Sequence, residues 1–291
     1  MAGETTLAVT PPIPTRAKKS KLRRWGEMAI APLKVVTNRP SNLRDWSPDL
    51  MVLPEAEFNG DEVTIRNVRN FTYRTSREFT PGYYDKTFRL SDLQSVWFGV
   101  EPFGDWRGPA HTFVSFGFKD GTYLALSVEI RRVKGETYSA WKGLWNCYEL
   151  TYVIADERDV VQLRTNHRKS DVYLYPVKIQ FADSPAKLLV DILKRVNALR
   201  ETPEFYNSLF NTCTTNLLRH FNHISPRRLG WSREILFPVD SDRLAYQSGL
   251  IDNSVPFEEA RRRALITPKA QRSDRELNFS RRIREAEPAS S

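Results

Sequence analysis

The stretch HTFVSFGFKDGTYLALSVEIRR, residues 111–132, allows few arrangements. Val114, Phe116 and Phe118 share one face of a first strand, and Leu124, Leu126, Val128 and Ile130 share one face of a second. All are even-numbered. A one-residue slip would carry a whole apolar set to the other face, so only pairings with an even sum keep both sets together. The loop Lys119-Asp120-Gly121 gives such a register: it pairs Phe118 with Thr122 and puts Gly121 at the left-handed position a three-residue hairpin loop uses. Counting back, Glu129 stands opposite His111, and Ser127 shares their face. Directly opposed Cβ atoms lie ~4.5–5.5 Å apart, close enough for a carboxylate–imidazole hydrogen bond that fixes the histidine tautomer. A loop one pairing longer would set Arg131 opposite His111 instead. A surface His–Glu pair contributing ~0–1 kcal/mol is the plainer reading of the same geometry.

The second constraint is LFNTCTTNLLRHF, residues 209–221, which holds one of only two cysteines. Asn211 and Thr212 are good N-cap residues, so Cys213 falls in the first turn of a helix. The positive end of the helix dipole favours thiolate there. The free N–H groups of such a turn suit an oxyanion hole. A thiolate attacks an ester or amide carbonyl, an imidazole moves the proton, and a carboxylate orients the imidazole. Cys213, His111 and Glu129 would supply those roles; a buried structural thiol is the alternative for Cys213. Cys147, in LWNCYELTYV, sits in a strand pattern without a helix start and reads as core. His220 and His223 lie near the end of the Cys213 helix and read as caps there. Their spacing could bind a metal, but no third ligand is evident, so no metal is expected. His167, in the polar loop NHRKSD, reads as solvated.

Strand signals dominate the first half: EVTIRNV (62–68), KTFRL (86–90), LQSVWFGV (93–100), then NCYELTYVIA (146–155), DVVQLRT (159–165) and VYLYPVKIQ (172–180). Helix signals come later. SPAKLLVDILKRVNALR has Ser184 as N-cap and Pro185 at the first helical position. A helix after Cys213 should face Leu217, Leu218, Phe221 and Ile224 inward, and PFEEARRRALI (256–266) makes a short third. Antiparallel strands followed by helices predict one α+β domain. The expected division is a basic tail and extended lead-in over 1–44, the domain over 45–265, and a charged, disordered tail over 266–291.

Charge and composition narrow the partners. The net charge is +9, and Arg16, Lys18, Lys19, Lys21, Arg23 and Arg24 against Glu4 place five of those charges in residues 1–24. Such an arm is either solvated or drawn to anionic lipid, at ~1 kcal/mol per basic residue. No nucleic-acid-binding motif accompanies it, so nucleic acid is not an expected partner. Two cysteines rule out a disulfide scaffold. No apolar run is long enough to span a membrane. The N-terminal charges follow a short apolar patch, the reverse of a signal peptide, so no export signal is expected.

GPAHTFVSFGFKDGTYLALSVEIRR, YELTYVIADERDVVQLRT, PEFYNSLFNTCTTNLL and DSDRLAYQSGLID together resemble the Lnb-type domain, the periplasmic N-terminal domain of a bacterial lipoprotein N-acyltransferase family. The resemblance covers residues 45–253. It implies a permuted papain-like fold, in which the histidine strand precedes the cysteine helix. It implies a thiol acyltransferase: an acyl chain moves from a lipid ester to Cys213 as a thioester, then to the amine of a lipoprotein N-terminus. His111, Glu129 and Cys213 match the family's histidine, acid and nucleophile. Tyr206, Asn207 and Asn211 are the implied oxyanion residues, and Arg131 could meet a lipid phosphate. No cofactor is implied. Phospholipid or lipoprotein and a membrane surface are the implied partners, and the implied location is periplasmic and membrane-associated. A papain-like cysteine hydrolase acting on peptide, amide or lipid ester is the alternative activity. The oligomeric state is left open.

Overall fold

In the computed structural model, which describes residues 39–103, 109–179, 181–226, 228–230, 238–274, 276 and 278–285, the hairpin becomes the centre of a mostly antiparallel sheet. The chain enters through β1 (Glu55–Asn59) and β2 (Glu62–Arg69) and makes a small separate ribbon, β3 (Thr72–Tyr73) with β4 (Phe79–Thr80). It continues through β5 (Tyr83–Arg89), β6 (Leu93–Pro102), β7 (Ala110–Phe118), β8 (Tyr123–Arg131), β9 (Tyr148–Asp156), β10 (Tyr173–Pro176) and β11 (Phe205–Tyr206). The strand order is β1-β2-β9-β8-β7-β6-β10, with β5 beside β2 and β11 beside β9. The helices are α1 (Ala140–Leu144), α2 (Glu157–Gln162), α3 (Ser184–Glu201), α4 (Cys213–Ile224), α5 (Ser241–Gln247), α6 (Phe257–Ala264), α7 (Thr267–Arg272) and α8 (Phe279–Arg282). The fold is therefore α+β, as the order of strand and helix signals predicts.

The hairpin register is the one that parity requires. Phe113 faces Ser127, Val114 faces Leu126 and Phe116 faces Leu124. Phe118 N donates to Thr122 O at 3.0 Å, and Gly121 takes φ +80°. The even-numbered set, Ile130 excepted, packs with Leu189, Ile192, Leu193 and Val196 of α3 in the larger core. The other face is also covered: Phe113, Ala125, Val153 and Ala155 meet Val160 and Val161 of α2 together with Ala270, Phe279 and Ile283.

Three expectations are corrected, two of them by that second layer. DVVQLRT is helical, not a strand: Asp156 caps α2 by accepting from Arg158 N, and a π turn follows over Leu163–His167. A short apolar run has no periodicity to separate a buried strand from a buried helix. The disordered tail expected from 266 is instead α7 and α8 as far as described. Phe279 and Ile283 are buried, and Arg284 Nη2 lies 2.5 Å from Glu157 Oε1. The few apolar residues of this segment are spaced so that each reaches the core, which average composition conceals. At the other end, residues 39–44 belong to the domain: Asn42 Nδ2 donates to the carbonyls of Leu199 and Arg200. The basic arm of residues 1–24 lies outside the described residues.

Candidate active site

The site forms where β7 and β8 part. Their ladder runs from Gly117–Tyr123 to Phe113–Ser127. Beyond that point β7 stays paired with β6 as far as Ala110, and β8 with β9 as far as Arg131. The first turn of α4 sits over the opening. Cys213 packs within the core of the even face, yet its thiol interacts with His111, which belongs to the odd set. The Thr112 backbone N–H and hydroxyl also favour the ionised sulfur.

Local chemistry makes Cys213 the first residue of its helix. The Thr212 hydroxyl accepts from Thr215 N at 3.2 Å, and Thr215 Oγ1 accepts from Thr212 N at 2.8 Å, a reciprocal cap. The first N–H groups of a helix lack intrahelical acceptors. With that of Thr215 taken by the cap, those of Cys213 and Thr214 remain as the N–H groups of the first turn. Thr214 Oγ1 is 3.8 Å from Cys213 Sγ and 3.3 Å from Thr112 Oγ1.

His111 is held from behind. Its Nε2 lies 2.6 Å from Ser127 Oγ, and Ser127 donates to Glu129 Oε1 at 2.7 Å. The direct distance from Nε2 to Glu129 Oε1 is 3.3 Å. Because the serine proton is spent on the carboxylate, Ser127 Oγ accepts from Nε2–H, which leaves Nδ1 for the thiol. Arg164, 2% exposed, anchors this relay: its Nη2 is 3.1 Å from Glu129 Oε1 and its Nε is 2.9 Å from Glu101 Oε2. Glu101 is the cross-strand partner of His111 on β6.

The charges settle in a consistent order. Burial raises the Glu129 pKa, but His111, Arg164 and the Ser127 hydroxyl outweigh it and hold the carboxyl at about 2. Burial lowers that of His111, while Glu129 and the Cys213 thiol more than restore it, so the ring is more basic than an ordinary histidine. Burial pushes the Cys213 thiol up, yet His111 and Thr112 bring it down to about 7. The pair is thus set for thiolate–imidazolium near neutrality.

The other implied residues divide. Tyr206 is brought to the site: burial, and then the neighbouring Cys213 and Tyr138, raise its phenol pKa. Asn207 and Asn211 lie in the adjoining turn with their amides engaged. Asn207 Nδ2 donates to Leu144 O and Asn146 Oδ1, and Asn211 Nδ2 donates to Phe205 O. Arg131 is not at the site. It is buried, donates to Leu50 O, Met51 O and Asn42 Oδ1, and stacks 4.2 Å from the Trp46 ring centroid. It ties the lead-in to β8, and a buried guanidinium with its donors spent does not reach a lipid phosphate.

Three further expectations change. Cys147 is half-buried just before β9, its thiol 3.4 Å from Trp145 O, and is not deep core. His220, expected as a cap, is buried between Asp191 Oδ2 and the Tyr152 hydroxyl, at 2.7 Å from each. Burial, opposed by Asp191, lowers its pKa. The inward face of α4 is its polar side, Thr214, Thr215, Asn216 and His220, while Leu217 is half-buried at the edge of the core. Glu101 and Arg164 carry no motif that marks them. The one signal is an arginine inside the apolar run VVQLRT, which a buried ion pair explains.

Residues 79–247 match the family described as the Lnb N-terminal periplasmic domain. No curated protein and no solved structure matches the chain significantly. Among the described residues no helix is long and apolar enough to cross a membrane. The matched segment exceeds half of the chain and contains Glu101, His111, Ser127, Glu129, Arg164 and Cys213, so the chain belongs to the Lnb N-terminal periplasmic domain family.

Proposed function

We propose that the protein is a thiol acyltransferase that takes an acyl chain from a lipid ester onto Cys213 and passes it to an amine, in the family's setting the N-terminus of a lipoprotein. One arrangement carries the reading: a thiol at the start of a helix, beside a histidine whose far side is held by Ser127 and Glu129 and which brings the thiol pKa down to about 7. In the reaction His111 accepts the thiol proton and Cys213 sulfur attacks the ester carbonyl. The oxygen that gains charge meets the N–H groups of Cys213 and Thr214 and the Tyr206 hydroxyl. The carbon–oxygen bond breaks, the leaving alkoxide takes the proton from His111, and the thioester remains. An amine then attacks, His111 takes its proton, and the sulfur leaves. Glu129 stays ionised throughout and balances the imidazolium.

The order of histidine strand and cysteine helix supports a permuted papain-like arrangement, and the family supports a periplasmic location beside the membrane. The test is incubation with phospholipid vesicles followed by intact-mass analysis. An acyl adduct is expected on the wild type and not on Cys213→Ala, with transfer to an added N-terminal-cysteine lipopeptide. An adduct that survives the substitution overturns the nucleophile; fatty acid released without transfer assigns a hydrolase.

A further inference from the structure

The apolar side of α4 borders a trough. Phe98 of β6, Leu188 of α3, Leu217, Leu218 and Phe221 of α4 and Leu244 of α5 line a cavity of about 110 Å³. A second hollow, of about 50 Å³, shares Val96, Val177, Leu188, Phe221 and Leu250 with it and reaches the exposed Ile179 and Phe181. The two hollows lie side by side along the helix and share those walls. Thr214, the residue after Cys213, lines the larger cavity, and its hydroxyl is 3.8 Å from the sulfur.

The lining says what fits. Among the described residues no charged side chain borders the inner cavity, and its side-chain polar atoms are the hydroxyls of Thr214 and Ser241. A peptide would carry an N–H and a C=O per residue into this space and leave most unpaired, at ~1–3 kcal/mol each. A hydrocarbon chain brings none. From Thr214 to Ile224 the helix spans ~15 Å, half the ~30 Å hydrocarbon core of a bilayer and so the reach of one acyl chain.

We propose that this trough seats the hydrocarbon chain of the acyl group whose carbonyl Cys213 attacks, and so favours long chains over short ones. The chemistry rests on the acyl-transfer reading; the seat itself is tested without it. The full chain carrying Cys213→Ala is titrated with palmitate and with octanoate, displacing a fluorescent fatty acid. Saturable palmitate binding is expected. Leu218→Trp fills the cavity and weakens palmitate by about tenfold or more, the loss of two buried methylenes. Phe181→Asp lies at the exposed mouth, where it threatens no core, and weakens palmitate while leaving octanoate unchanged, because the shorter chain ends before it. Failure of palmitate to bind, or equal palmitate binding with Phe181 and with Phe181→Asp, overturns the seat whether or not the tryptophan variant folds. If palmitate binds as stated and no acyl adduct forms on wild-type Cys213, the seat stands and the transferase reading falls. If instead the adduct forms equally with long and short chains, the transferase reading stands and the seat falls.

Discussion

At Cys213, burial opposes ionisation and His111 and Thr112 favour it; the balance leaves the thiol near 7. Iodoacetamide alkylation of the wild type should therefore rise through pH about 7, as thiolate forms. In His111→Ala burial prevails, the midpoint moves up, and the rate at neutral pH drops by about tenfold for each unit gained. Ser127→Ala removes the bridge at 2.6 and 2.7 Å and leaves His111 and Glu129 at 3.3 Å. Leaving the buried His111 underpaired costs ~1–3 kcal/mol, an expected loss of roughly 5- to 160-fold in acyl-adduct formation. A purely structural role would leave the alkylation midpoint in place; here it should rise. Glu129 is depressed from 4.5 to about 2, so the stability it contributes is full above pH 4.5 and fades as pH falls toward 2. Urea midpoints of wild type and Glu129→Gln should converge over that window. Sequence parity places His111, Ser127 and Glu129 on one face, because side-chain direction in a strand is local. It says nothing of Arg164 or Glu101, whose pairing closes only across elements.

Elements decide how that face meets a helix packed on the opposite one. In an unbroken ladder the odd-numbered His111 and a cysteine lying on the even face would stand on opposite sides of the sheet. The parting of β7 and β8 beyond Phe113–Ser127 removes the barrier and frees the Thr112 amide for the sulfur. The cap of α4 fixes where the thiol enters. Thr212→Ala should cost about 1 kcal/mol of stability and slow alkylation of Cys213, with Thr212→Ser restoring both; urea unfolding and the alkylation rate check it. The helix start is readable from Asn211 and Thr212 because capping is local chemistry. The α2 segment is not readable in this way, since its burial depends on a partner layer from beyond residue 265.

On the scale of the whole molecule, the sheet is closed on both faces, and the second face depends on the C-terminal helices. Removing residues 266–291 would expose Val160 and Val161 and leave the Glu157 carboxylate, 0% exposed, without Arg284. Having lost both that apolar cover and the Arg284 pair, the truncated chain should unfold at distinctly lower urea. Glu157 begins the α2 segment that leads to Arg164, so alkylation of Cys213 should also lose its midpoint near 7 in this variant. The order of residues alone dictates the hairpin register, the strand-then-helix succession and the helix that begins at Cys213. Each of these follows from near-neighbour rules of alternation, turn chemistry and capping. Packing in three dimensions is what makes β7 and β8 part, turns the polar side of α4 to the core and its apolar side to a trough, and sets Arg164 between Glu101 and Glu129. Those outcomes depend on burial and charge pairing between segments far apart in the chain, which no local pattern encodes.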